Sequence, residues 1–232
     1  MENFRTSAFM ALLALVFGFL GAATWQMTLG NGMTRSWMIE NPEILHDLAD
    51  AYDRKQARER LADIADDVNT PFPGAVLGNP DGKVTLVEFT DYGCTYCRQS
   101  REHVDALVRA NPDLKVVIRE WPIFEGSDIA ARMALAAAKQ GKFTAFHDAM
   151  FRLGPPSEAS VQQAATAAGI DMEQARLVMA SQEADIELAK NMGLARQLEF
   201  TGTPSWVIGD QLLQGAVGEA NLAQAIAEAR GS

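Results

Sequence analysis

The chain has two cysteines, Cys94 and Cys97, and their spacing is the first chemical fact of the sequence. Thiols three residues apart on a helix share one face, with Cα atoms at roughly the 5–6 Å that a disulfide requires. The preceding VTLVEFT (Val84 to Thr90) is rich in β-branched and aromatic residues, as buried strands are. DYGCTYC follows directly and leads into a helical pattern through Val104, Leu107 and Val108. Cys94 therefore falls where a helix begins. Unpaired backbone N–H groups and the positive end of the helix dipole favour a thiolate there, below the free-thiol pKa of about 8.5. Cys94 is then the attacking sulfur, and the less exposed Cys97 is the resolving thiol that releases a mixed disulfide.

Competing readings of the pair are weaker. A structural disulfide framework would use more cysteines and wider loops. A zinc site needs about four ligands, and His46, His103 and His147 show no metal-ligand spacing. Two inert core thiols are the bland alternative. Placement at a strand-to-helix turn argues for a redox pair, with no metal site expected.

The elements that must position the pair can be read outward from it. Leu114 to Ile118 (LKVVI) is a second buried strand, so strand, turn, helix and strand form a βαβ unit. Ser127 to Glu199 is alanine-rich and helical, with Ser127 as a cap and breaks at Gly141 and at Gly154-Pro155-Pro156. After Thr201-Gly202-Thr203-Pro204, SWVIG and QLLQGAV read as a hairpin about Gly209-Asp210, and Glu219 to Arg230 as a closing helix. The expected fold is an α/β domain over residues 83–232 with a helical insertion at about 125–199. Ahead of it, 69–82 is rich in proline and glycine and reads as a linker. Residues 38–68 read as a helical N-terminal extension whose apolar stripe is interrupted at DRKQARER.

Residues 1–23 differ in kind. Ala8 to Ala23 is an uncharged apolar run, short for a bilayer span of about 20 residues but suited to an export signal. Two readings stand: a signal peptide cut before Thr24, or a retained N-terminal membrane anchor. Either delivers the rest of the chain to the periplasm. A formal charge of −10 argues against a nucleic-acid partner, which needs a basic face.

FTDYGCTYC (Phe89 to Cys97), FHDAM (Phe146 to Met150) and TGTPSWVIG (Thr201 to Gly209) together resemble the DsbA family of thiol–disulfide oxidoreductases. The resemblance runs from about Val84 to Arg230 and implies a thioredoxin fold interrupted by a helical insertion. It implies that Thr203-Pro204 is the family's cis-proline loop, with Pro204 keeping the active-site geometry and Thr203 offering its backbone to substrate. It implies that Glu88, six residues before Cys94, is the buried acid that moves protons at Cys97. Thr95 and Tyr96, between the cysteines, should contact substrate. They depart from the Pro-His pair of the strongly oxidising member, which implies a couple less oxidising than roughly −120 mV.

The resemblance further implies that no bound cofactor is needed, because the Cys94–Cys97 disulfide itself carries two electrons. The implied partners are unfolded or cysteine-bearing exported polypeptides and a membrane redox protein that resets the disulfide. Related exported proteins linked to copper tolerance carry a helical N-terminal extension that makes them trimers, so 38–68 is a candidate self-association arm. Oxidase and isomerase or reductase stay open as net directions. An alternative from another class is a chaperone-like or copper-binding module with the thiols as ligands. His147 is expected to be packed and hydrogen-bonded rather than catalytic.

Overall fold

A computed structural model describes residues 2–25 and 31–231, which fall into two compact units, 1–52 and 53–232. The first holds helices α1 (Glu2–Thr24) and α2 (Asn31–Glu40) and the start of α3 (Ile44–Leu61). The apolar run expected as signal or anchor lies in α1; among the described residues no helix is long and apolar enough to cross a membrane. Trp37, Met38, Ile39, Leu45, Leu48 and Tyr52 in this unit are exposed.

The second unit is built on a five-stranded sheet ordered β1-β3-β2-β4-β5. Strand β2 (Val84–Thr90) runs parallel to β3 (Leu114–Glu120), joined by helix α5 (Thr95–Ala110) as the expected crossover. Antiparallel β4 (Ser205–Ile208) lies against β2 and turns back into β5 (Gln211–Gln214). Five helices stand between β3 and β4: α6 (Ser127–Lys139), α7 (Phe143–Leu153), α8 (Glu158–Ala167), α9 (Met172–Met179) and α10 (Gln182–Gln197). Helix α11 (Glu219–Ala229) closes the chain.

The period of two along each strand separates two cores. Val84 and Leu86 of β2, Val116 and Ile118 of β3, and Trp206 of β4 face α5, α11 and the helical insertion. Val87, Phe89, Val117 and Val207 face the other way, against Leu61, Ile64 and Val68 before the sheet and Leu194, Leu198 and Phe200 at and just beyond the end of α10.

Three expectations are corrected here. Residues 69–82 are not a linker: Val76–Gly78 forms strand β1, paired antiparallel with β3, and Phe72, Ala75 and Leu77 are buried. The breakers shape a short edge strand, with Gly78 at φ +74° and its position packed against the Leu114 carbonyl, where no side chain fits. The extension 38–68 is not one separate arm, because Asp53 onward belongs to the second unit. Its DRKQARER stretch supplies anchors: Arg54 pairs with Asp210 and Glu228, Arg58 with Asp210, and Arg60 with Glu199. Ala57, Leu61 and, in the short helix α4 (Ala65–Asn69), Val68 are buried below them. Finally, Ser127 does not cap α6. Gly126 does, at φ +81°, and the Ser127 hydroxyl is buried without a partner.

Candidate active site

The β2 strand ends at Thr90, and Asp91-Tyr92-Gly93 turns the chain into α5 with Cys94 as its N-cap. Asp91 organises that turn. Its carbonyl accepts from the Cys94 N–H at 3.0 Å, and its Oδ1 accepts from the Gly93 N–H at 2.7 Å. Its Oδ2 accepts from the N–H groups of Ile123 (2.6 Å) and Phe124 (2.9 Å), tying in the loop after β3. At Gly93 a Cβ would stand 2.7 Å from Ser127 Oγ and 3.0 Å from Phe124 Cβ, so a side chain there would displace Ser127 and crowd Phe124. The sequence signal for this hub was the Asp-x-Gly step, which forms side-chain-to-backbone turns.

Cys94 and Cys97 are both free and buried, Cys94 with 3% of its surface exposed. The Cys94 thiol donates to the Thr203 carbonyl at 3.1 Å, and the Thr203-Pro204 peptide is cis. The Cys94 sulfur is thus met by a backbone oxygen 109 residues away in sequence. A hydrogen bond from Cys97 pulls the Cys94 thiol down to about 5 against the opposing effect of burial. The Thr203 side chain and the N–H groups of Cys97 and Tyr96 lower it further. Burial pushes Cys97 up, and its bond to Cys94 and the nearby Glu88 push the same way. One thiol is therefore set to be a thiolate at neutral pH and its neighbour to keep its proton.

Glu88 is buried on the α5 side of the sheet. Burial raises its carboxyl to about 8; Thr90 and Arg101 pull it back, and Cys94 adds to the rise. A carboxyl at that value exchanges protons near neutrality. Thr95 and Tyr96 are exposed, Tyr96 by 61%, and Ile123 and Phe124 in the Asp91-tethered loop are half exposed. Sequence reasoning missed those two apolar residues, because their placement depends on the loop that Asp91 holds. Pro204 and Ser205 continue the loop into the sheet: the Pro204 carbonyl accepts from Gly215 N–H at 2.8 Å, and Ser205 pairs with Phe89. The structure thus brings Cys94, Cys97, Thr203, Pro204 and Glu88 to one end of β2, with Thr95 and Tyr96 at the surface above them.

His147 is packed as expected. Its Nδ1 lies 2.9 Å from the Tyr92 hydroxyl, and burial lowers it to about 3, so it is neutral. Among the described residues no group of three or more His, Cys, Asp or Glu could hold a metal ion.

Known proteins are similar to this chain in sequence and fold. A family model described as a DSBA-like thioredoxin domain matches residues 85–227. A thioredoxin-like oxidoreductase from Silicibacter pomeroyi DSS-3 is 45% identical and superposes with a TM-score of 0.68 over 72% of this chain and 98% of its own. A periplasmic thioredoxin-like protein from Salmonella enterica serovar Typhimurium is 31% identical, with a TM-score of 0.66 over 73% of this chain and 97% of that one. A linker-deletion mutant of ScsC from Proteus mirabilis is 27% identical and reaches further, with a TM-score of 0.69 over 89% of this chain and 95% of its own. Curated relatives include a Na(+)/H(+) antiporter NhaA 1 of Salinispora arenicola, 26% identical over 66% of this chain; the chain spans about a quarter (24%) of that protein's length. With the matched domain covering more than half of its residues, the chain belongs to the DSBA-like thioredoxin-domain family.

Proposed function

We propose that the chain exchanges disulfides in exported polypeptides through the Cys94–Cys97 pair. The observation that carries this is the division of the two thiols, with Cys94 lowered to about 5 at a helix N-terminus and Cys97 raised behind it. In the oxidising direction a substrate thiolate attacks Cys94 Sγ, and the Cys94–Cys97 bond breaks. Cys97 leaves as a thiolate and takes a proton from Glu88. A second substrate thiolate then attacks the substrate sulfur of the mixed disulfide and releases the Cys94 thiolate. Two electrons pass from substrate to enzyme, and a membrane redox partner removes them. Reduction follows the same steps backwards. Pro204 shapes the wall beside the sulfurs, and Thr203, Thr95 and Tyr96 receive the substrate chain.

Residues 1–23 serve as the export signal and the periplasm as the place of action, a reading supported by the apolar run of α1 and by the periplasmic relative. The exposed apolar residues of α2 and α3 support self-association through 38–52, the portion of the extension outside the second unit. The copper-binding or chaperone-like alternative is not favoured by the family.

The test pairs two ribonuclease assays on the full chain. The oxidised protein should oxidise reduced ribonuclease, or the reduced protein should recover activity from scrambled ribonuclease; the faster assay assigns the net direction. Failure in both would overturn the proposal. The thiol value predicts a potential between those of thioredoxin and DsbA, about −270 and −120 mV, because reduced-form stability follows thiolate stability. Equilibration with defined glutathione ratios measures it.

A further inference from the structure

Glu120 ends β3 directly opposite Thr90 in the parallel register, buried on the α5 side of the sheet. Its Oε1 lies 2.9 Å from the Tyr92 hydroxyl, which lies 2.9 Å from His147 Nδ1. Tyr92 has one proton for two neighbours. With Glu120 ionised, Tyr92 donates to the carboxylate and His147 donates from Nδ1. With Glu120 as the acid, it donates to Tyr92, Tyr92 donates to Nδ1, and the imidazole proton sits on Nε2.

Glu120 Oε2 decides between them, being buried without a hydrogen-bond partner. An ionised carboxylate would leave that oxygen unsolvated, and among the described residues no cation pairs with Glu120. The groups that face it are Glu88, Asp91 and Tyr92 from β2 and its turn and His147 from α7, while Arg101 of α5 acts on Glu88 and His147. The guanidinium of its neighbour Arg119 is engaged elsewhere, on Glu187, Asn191 and the carbonyls of α4. Burial first, then Asp91 and Glu88, push the Glu120 carboxyl well above the usual range, against the pull of the Tyr92 bond.

We infer that Glu120 is a positioning residue of the redox centre: it donates to Tyr92, Tyr92 donates to His147, and this directed chain holds the turn before Cys94 without setting a negative charge beside Glu88. Tyr92 transmits the constraint, since it lies two residues before Cys94 and its ring is packed by Phe151 at 4.9 Å and Phe146 at 5.9 Å. The inference rests on Cys94 being the attacking thiol.

The test reads the direction of the chain and then its effect. In the full chain at neutral pH, nitrogen NMR of labelled histidine should show His147 as the Nε2–H tautomer. Glu120→Gln keeps a neutral donor, so the Cys94 thiolate titration should stay within about 0.3 pH unit of wild type. Glu120→Met removes the donor and should slow disulfide exchange about tenfold through loss of alignment. An Nδ1–H tautomer overturns the inference. So does a larger downward displacement of the titration in Glu120→Gln, the mark of a removed charge, or an unchanged rate in Glu120→Met. Should the variants not fold, the wild-type tautomer decides alone. Absence of exchange by the wild-type chain would instead defeat the proposed function, with the tautomer still readable.

Discussion

The two faces of the central sheet are equally buried but treat their polar residues in opposite ways. On the face toward α4 and the end of α10, Arg119 is fully enclosed and its guanidinium is saturated. It donates to the carbonyls of Asp67, Val68 and Thr70, to Glu187 Oε1 at 2.9 Å and to Asn191 Oδ1 at 3.0 Å. On the face toward α5, Glu88 and Glu120 have no such complement; Glu120 Oε2 is buried without a partner. Both acids are pushed up by burial. A satisfied buried charge holds elements together, whereas an undersatisfied one is available to change its protonation state. The groups placed to change protonation lie on the undersatisfied face, and the joinery on the other.

The comparison can be broken at several points. Cys94→Ser should lower disulfide exchange by more than about a thousandfold in the ribonuclease assay, since the remaining thiol, Cys97, is buried and keeps its proton. Cys97→Ser should instead accumulate mixed disulfides, visible by mass spectrometry. Arg119→Met should cost about 3–5 kcal/mol in urea unfolding, because Glu187 and the α4 carbonyls lose their donor. If Arg119 is purely joinery, the Cys94 titration of the folded variant should match wild type.

Glu88→Gln tests the chemical face by pH. The folded carboxyl sits near 8 against an ordinary 4.5, so between these values the folded protein holds a proton that the unfolded chain has lost. Wild-type stability should therefore fall as pH rises through that window, with a slope of at most about 1.4 kcal/mol per unit from this group. The glutamine variant should flatten that slope by a few kcal/mol in total, and slow proton exchange at Cys97. The smallest effect belongs to Arg54→Ala, whose ion pairs with Asp210 and Glu228 are about a third exposed; under about 1 kcal/mol is expected by thermal unfolding.

Much of this was legible in the chain because local patterns and tertiary demands agree. VTLVEFT is β2 residue for residue, and the Cys94–Cys97 spacing placed the pair on the first turn of α5. The cis peptide at Thr203-Pro204 came from the family resemblance, since composition carries no mark of it. What stayed hidden depends on partners distant in sequence. Three residues of β1 among prolines and glycines become a strand only by pairing with β3. Arg54 and Arg58 looked like a broken stripe because their acceptors lie more than 150 residues away. The burial of Glu120 required knowing that Thr90 stands opposite it.

The Asp91 carboxylate has a mechanical consequence. By gripping the Gly93, Ile123 and Phe124 amides at once, it welds the collar of the redox turn to the apolar lip beside it. A polypeptide leaning on Ile123 and Phe124 would push against the same hydrogen-bonded block that carries Cys94. Contact at the lip and registration of the sulfur would then be one event, not two in sequence.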